Sequence, residues 1–210
     1  QQEPRRTGAA WFLLDAGQTV STPAIVIPAD AQQVVIGGGS GSLLTSELLL
    51  GRSVTFVAET GSTTEIRSVL SGTTSGSPCG QDLTVGMAGY AGKVVLGTLF
   101  GTVATSGQLT AAYGQAEIRE FATLEAAGGV TVNDGASLKI ITLYNNPGDL
   151  ATSATLTDDT LAVEFSGDPA TGDQYILLLG PTNNTITTVT LNGTTATGTY
   201  DEATSTLTID

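Results

Sequence analysis

Short runs that alternate apolar and hydroxyl side chains, cut at intervals by glycine, most constrain what this chain can become. The closing segment Thr185–Asp210 shows the pattern most clearly. Thr187–Leu191, an Asn192-Gly193 turn, Thr194–Tyr200, a turn over Asp201–Thr204 and Ser205–Ile209 predict a three-strand meander. Threonine's branched Cβ suits the pleat and its hydroxyl keeps the outer face wet. Val189, Leu191, Leu207 and Ile209 supply the face to be buried. The same alternation recurs at Ser53–Ala58, Thr64–Leu70 and Leu161–Phe165. The 27 glycines match the many turns such a chain needs.

Other punctuation agrees. Pro23 and Pro28 bracket a short strand at Ala24–Ile27, and Gly37-Gly38-Gly39-Ser40-Gly41 ends another at Gln33–Ile36. Asn133-Asp134-Gly135, between Val130–Val132 and Leu138–Tyr144, predicts a hairpin. Tyr175–Leu179 reads as a strand covered on both faces. Leu109–Ala127 is ambiguous. Ser106 is placed to cap a helix, Gly128 to end it, and Leu109, Ala112, Tyr113 and Ala116 share a helical face. Gly114 and the spacing of Ile118, Phe121 and Leu124 fit less cleanly, so the segment holds a short helix or a strand over Glu117–Leu124.

The expected fold is all-β: one or two antiparallel β-sandwiches of jelly-roll or immunoglobulin-like type, with a parallel β-helix as second choice. The chain divides into an N-terminal arm and candidate donor strand (1–15), a β domain (16–110), a connector or short helix (111–128) and a C-terminal β meander or sandwich (129–210). No short exact repeat is visible. The stretch Thr123–Ile140 resembles pieces of secreted β-solenoid adhesins in composition, which is the ground for the second choice.

Chemistry is mostly excluded. The chain has no histidine and a single cysteine, Cys79. Ser-His-Asp and Cys-His nucleophiles and His-based metal sites are therefore absent, and no internal disulfide is available. Net charge is −13, and from Ile140 onward there is no basic residue against nine acids: Asp149, Asp158, Asp159, Glu164, Asp168, Asp173, Asp201, Glu202 and Asp210. Nucleic acid is thus a poor partner. No apolar run reaches the ~18 residues of a membrane span, and the Gly37–Gly41 run lacks the Gly-Lys-Ser/Thr ending of a phosphate loop. Carboxylates are what remains. Asp158 or Asp159 with Glu164 or Asp168 are the pairs for glycoside hydrolysis, against a reading as solvated turn acids. Asp168 and Asp173 share one loop, where hard oxygen ligands suit Ca2+, the one cofactor suggested; an Asp-Pro turn is the plainer reading. Lys139, in an apolar strand, is a candidate for an isopeptide bond with Asn145 or Asn146 beside Glu164, or else an outward lysine.

The expected function is structural, with no enzymatic activity. A polar arm with Arg5 and Arg6 leads into the apolar run Ala9, Ala10, Trp11, Phe12, Leu13 and Leu14. With low charge and richness in Thr, Ser and Gly, this profile resembles secreted β-rich, pilus-like filament subunits. That resemblance implies a homopolymer in which the N-terminal strand of one copy completes the sheet of the next, with Arg5 and Arg6 facing an acidic neighbour; the equal alternative is that the run Ala9–Leu14 pairs within its own domain. Gln1 in place of Met reads as a processed N-terminus, and the sequons at Asn183 and Asn192 suit a glycoprotein. The expected location is extracellular or at the cell surface. The alternatives are a carbohydrate-binding or adhesive module, with Trp11, Tyr90, Tyr113, Tyr144 and Tyr175 as stacking residues, and a carboxylate-based glycosidase.

Overall fold

The computed structural model describes residues 10–141, 151–167, 169–178, 180–195 and 198–210. Arg5, Arg6, Ala9, Tyr144, Asn145, Asn146 and Asp168 lie outside them. The chain is all-β and mostly a parallel β-solenoid of about six coils. This overturns the antiparallel sandwich in favour of the arrangement ranked second from sequence.

Each coil lays one strand on each of up to three walls. The first coil carries β1 (Ala10–Leu14), β2 (Thr19–Val20) and β3 (Ala24–Ile27). The second carries β4 (Val34–Gly38), β5 (Ser42–Leu44) and β6 (Glu47–Leu50). The third carries β7 (Val54–Ala58), β8 (Thr63–Ile66) and β9 (Leu70–Ser71). The fourth carries β10 (Leu83–Val85), β11 (Lys93–Leu96) and β12 (Thr102–Thr105). The fifth carries β13 (Leu109–Ala111), β14 (Gln115–Ile118) and β15 (Thr123–Ala126), and the sixth β16 (Val130–Val132) and β17 (Ser137–Ile141). The first wall is β1-β4-β7-β10-β13-β16 and the second β2-β5-β8-β11-β14-β17, parallel throughout. The third wall is split into β3-β6-β9 and β12-β15.

Parallel stacking places like on like. Phe12, Ile36, Phe56, Val85, Ala111 and Val132 are in register along the first wall. Leu44, Ile66, Leu96, Ile118 and Ile140 are in register along the second. These ladders line one core, in which Phe56, Leu44, Leu96 and Ile118 are wholly buried. Hydroxyls that fall inside are satisfied locally. Thr64 Oγ1 donates to the Gly38 carbonyl at 3.0 Å and lies 3.1 Å from Ser42 Oγ.

The turn chemistry was recognised but its product was not. Asn133-Asp134-Gly135, with Gly135 at φ 76° and the Ala136 N–H bonded to the Asn133 carbonyl, links β16 on one wall to β17 on another. It is a solenoid corner and not a hairpin. Residues 109–127 form no helix; they supply β13, β14 and β15. Gly114 sits at a corner with φ 67°, where a Cβ would strike the backbone of Ala91 and Gly92 on the coil below.

After the sixth coil the chain changes style and closes the end. The strands β18 (Ala151–Leu156), β19 (Thr160–Phe165), β20 (Gln174–Ile176), β21 (Thr188–Leu191), β22 (Thr194–Thr195), β23 (Gly198–Asp201) and β24 (Thr206–Ile209) follow. β18 pairs antiparallel with β17, and β19 with β18, which extends the second wall. β20, β24 and β23 form a separate antiparallel sheet. The edge of β16 is covered by Pro181–Asn184. The Val130 N–H reaches the Pro181 carbonyl at 2.9 Å and the Asn183 N–H the Val130 carbonyl at 2.7 Å. The Asn184 side chain accepts from the Val132 N–H and donates to its carbonyl, each at 2.7 Å. Thr182, Tyr200 and Ser205 join their hydroxyls beneath this cover, at 2.8 and 2.9 Å.

If the inner ladder holds the coils together, Phe56→Ala should cost about 3–5 kcal/mol in urea unfolding. Lys139→Ala, on the outer side of the second wall in register with Glu117, should cost less than about 0.5 kcal/mol.

Candidate functional site

Two features have no counterpart in a regular solenoid: an uncovered first coil and a gap in the third wall. In the first coil β1, β2 and β3 each have one hydrogen-bonded neighbour, β4, β5 and β6. Their far edges are unpaired among the described residues. Trp11 is 45% exposed, Phe12 38%, Leu13 46% and Val26 62%. Phe12 continues the inner ladder of Ile36 and Phe56, and no described residue covers it on the far side. Terminal repeats of soluble solenoids ordinarily present a polar outer face. Among the described residues, only the C-terminal end of this one is covered.

β1 pairs within its own chain, with β4. It is also held from outside. The loop between β10 and β11 brings Tyr90 against Trp11, ring centroids 5.6 Å apart, on the side where outward Val35 and Val57 are buried.

The second feature lies between the third and fourth coils. Residues 72–82 leave the third wall after β9 and lead to β10 on the first wall, and no hydrogen bond runs between β9 and β12 among the described residues. The result is a groove of about 740 Å³, lined mainly by apolar atoms of Val69, Leu70, Pro78, Ala104 and Ala127, with Thr102 on one lip. Cys79, a buried free thiol, lies on its floor. The excursion is anchored at both ends. The Cys79 carbonyl accepts the Ser106 N–H at 2.8 Å, and Thr105 Oγ1 donates to the Gln81 carbonyl at 2.6 Å. At the other end Glu47 accepts from Ser71 Oγ (2.6 Å), Ser75 Oγ (2.8 Å) and the Gly76 N–H (3.3 Å). The Ser71 and Ser75 hydroxyls hold the Glu47 carboxyl below its usual range, burial opposes them slightly, and the Gly76 N–H adds to them.

The outer side of the second wall is a ladder of ion pairs. Glu65 Oε2 meets Arg67 Nε at 2.7 Å and, across the fourth coil, Arg119 Nη1 at 2.8 Å; Lys93 pairs with Glu117 at 3.3 Å. Burial raises the Glu65 pKa, but the two guanidiniums outweigh it and the carboxyl sits below the ordinary value. Beside this ladder, at the corner leading to the third wall, Phe100 and Phe121 stack with centroids 5.1 Å and planes 19° apart. Both take left-handed φ, 57° and 62°, and Phe100 is 74% exposed.

The remaining sequence candidates do not converge. Asp173 Oδ2 accepts from the Ala170 N–H of its own turn at 2.8 Å, and among the described residues no three metal-ligating side chains gather. Asp159 is bonded to Thr160 and Asp158 to Asn184. Glu164 is in register with Ser153 on β18. Asn183 and Asn192 are exposed, but Asn192 Oδ1 accepts the Phe165 N–H at 2.7 Å and Asn183 Nδ2 reaches Thr131 Oγ1 at 3.2 Å. Tyr175 is buried against Phe165, while Tyr113 stands exposed elsewhere. The groove and the Phe100–Phe121 pair were missed from sequence. The groove arises from coil pairing, and the two phenylalanines are 21 residues apart and meet only because Thr102 and Thr123 are in register.

No protein-family model, no curated protein and no solved structure matches this chain.

Glu47 gives this region a pH dependence. Its folded pKa is depressed, so the restraint it contributes is complete above the ordinary value of 4.5 and is lost as pH falls through the lower folded value. Glu47→Gln should speed amide exchange across residues 72–78 at neutral pH. It should also remove the further speeding that the parent chain shows between pH 4.5 and the lower folded value, measured by exchange mass spectrometry with correction for intrinsic rates.

Proposed function

We propose that this chain is a structural subunit of an extracellular filament or surface assembly, polymerising by β-strand addition between copies. The observation that carries this reading is the first coil, whose outer strand edges are unpaired among the described residues and which exposes the apolar side chains of Trp11, Phe12, Leu13 and Val26. Edges of this kind recruit further strands unless charge, proline or a cover blunts them. No charge and no proline falls within β1. The opposite end is covered and acidic, so the two ends differ, and contacts between unlike surfaces propagate into an open filament where the rotation between copies does not close a ring.

Leu13→Lys places a charge on the outer side of β1, where it leaves the inner ladder intact. It should abolish assembly seen by electron microscopy and light scattering while leaving thermal unfolding within a few degrees of the parent. Removal of residues 1–14 should also abolish assembly, at a cost in stability because it takes Leu14 out of the core. Unchanged assembly in both variants would sink the reading.

A second reading, as a glycan-binding adhesive surface, is favoured by the Phe100–Phe121 pair. Two bulky residues kept at left-handed φ cost of order 1–3 kcal/mol each, and such strain collects at functional sites. They present a flat ring beside the carboxylates and guanidiniums of the second wall, a combination that suits the apolar face and the hydroxyls of a sugar. If that surface acts, Phe100→Ala should lower glycan-array signal at least tenfold; a parent chain that binds no glycan removes this reading.

A further inference from the structure

We propose that the outer face of the second wall holds a binding site for one ring of an uncharged sugar, with Phe100 as its platform. The inference rests on the glycan-binding reading and names the pocket, its polar residues and the class of sugar.

A cavity of about 260 Å³ opens on that face beside the two phenylalanines. Leu99 and Glu120 line it, and the residues that follow them in the chain are the stacked rings, Phe100 and Phe121. Its volume lies below the ~300–1,000 Å³ of sites that take a drug-sized ligand, so it suits a single ring and not a chain. Val95, in register with outward Glu65 and Glu117, is buried, and with Leu99 it gives the cavity an apolar side. Glu65, Lys93, Glu117 and Glu120 give it a polar one. A sugar ring has the same division, with C–H groups on its faces and hydroxyls around its edge.

The polar groups are fixed in place but only partly used. Lys93 spends one of its three N–H donors on Glu117. The contacts to Glu65 and Glu117 all fall on Oε2, which leaves Oε1 of each carboxylate without a partner among the described residues. Glu120 is exposed and forms no ion pair among them. Hydroxyls both donate and accept, so neighbouring hydroxyls of one ring match a face that offers ammonium donors and carboxylate acceptors side by side on one rigid sheet. The sugar's charge follows from the surroundings. Acids outnumber bases around the cavity and the whole chain carries −13, so sialylated and sulfated sugars are repelled. The backbone of Phe100 points to the same place. At φ 57° it occupies a corner position that glycine would take without strain, and its ring is too exposed for burial to offset that strain.

The test uses the full-length chain on an array that carries neutral hexose and N-acetylhexosamine oligosaccharides beside sialylated and sulfated ones. The neutral sugars should bind and the acidic ones should not. Phe100→Gly removes the ring and the strain together. It should lower the neutral signal at least tenfold while the chain unfolds at the parent temperature or above; a ring with a purely structural role would lower that temperature. Glu120→Ala and Lys93→Met should each weaken binding at least fivefold, measured by titration calorimetry with the strongest-binding neutral oligosaccharide of the array. Glu120 is exposed and unpaired among the described residues, so its variant keeps the fold even if Lys93→Met disturbs the ion-pair ladder. Binding that falls with Phe100→Gly but is unmoved by Glu120→Ala and Lys93→Met overturns the pocket and leaves the phenylalanine pair standing as a glycan surface. A preference for sialylated or sulfated sugars overturns the uncharged class. A parent chain that binds no sugar, or whose binding survives Phe100→Gly, overturns this inference and the glycan reading together.

Discussion

Coil-to-coil main-chain pairing is the constraint on which the rest of this molecule depends. Each inner strand of the first two walls exchanges hydrogen bonds with the coil before and the coil after, and the first wall keeps one register from Ala10 to Val132. The side-chain ladders follow from that register, because parallel stacking puts each inward position over the same position one coil on. A barrel removes its edges by closing on itself; a solenoid cannot, and always has two ends. Here one end is met by reversing direction. β18 turns antiparallel on β17, and Asn184 uses its amide as a substitute peptide group for Val132. The other end has no comparable device among the described residues.

The sequence shows local structure well and pairing hardly at all. Strands such as Ala24–Ile27, Val54–Ala58 and Thr206–Ile209 were legible because period-two alternation is a property of single strands. Which strand lies beside which was hidden for two reasons. A corner such as Asn133–Gly135 needs the same positive-φ residues whether the next strand returns along the same sheet or crosses to another wall. Coil length also drifts: the paired positions Ala10, Val34, Val54, Leu83, Leu109 and Val130 fall 24, 20, 29, 26 and 21 residues apart. A period that varies so much leaves no repeat to find. Of the helical face read into Leu109, Ala112, Tyr113 and Ala116, Leu109 and Ala116 are interior ladder positions of β13 and β14, while Ala112 and Tyr113 lie in the corner between those strands.

The same drift made the candidate sites illegible. The longest interval, from Val54 to Leu83, contains the excursion that opens the third wall, so the groove comes from an insertion into the coil plan and not from any motif. Glu47 looked like an ordinary strand acid, yet its carboxylate holds a loop that begins more than twenty residues later. Arg119 and Glu65 are 54 positions apart and meet because they stand two coils apart on one wall. Trp11, by contrast, was legible as a member of an apolar run that lies near the chain start. The structure pairs the strand that holds it with β4 of the same chain.

Charge separates what the two ends can do. The C-terminal cover carries the acids of a segment with no basic residue after Lys139, so two covers facing one another would repel at neutral pH. Coaxial stacking of the open coil on a cover is no easier, because Asn184, the Pro181–Asn184 segment and the antiparallel strands have already taken the main-chain groups such stacking would use.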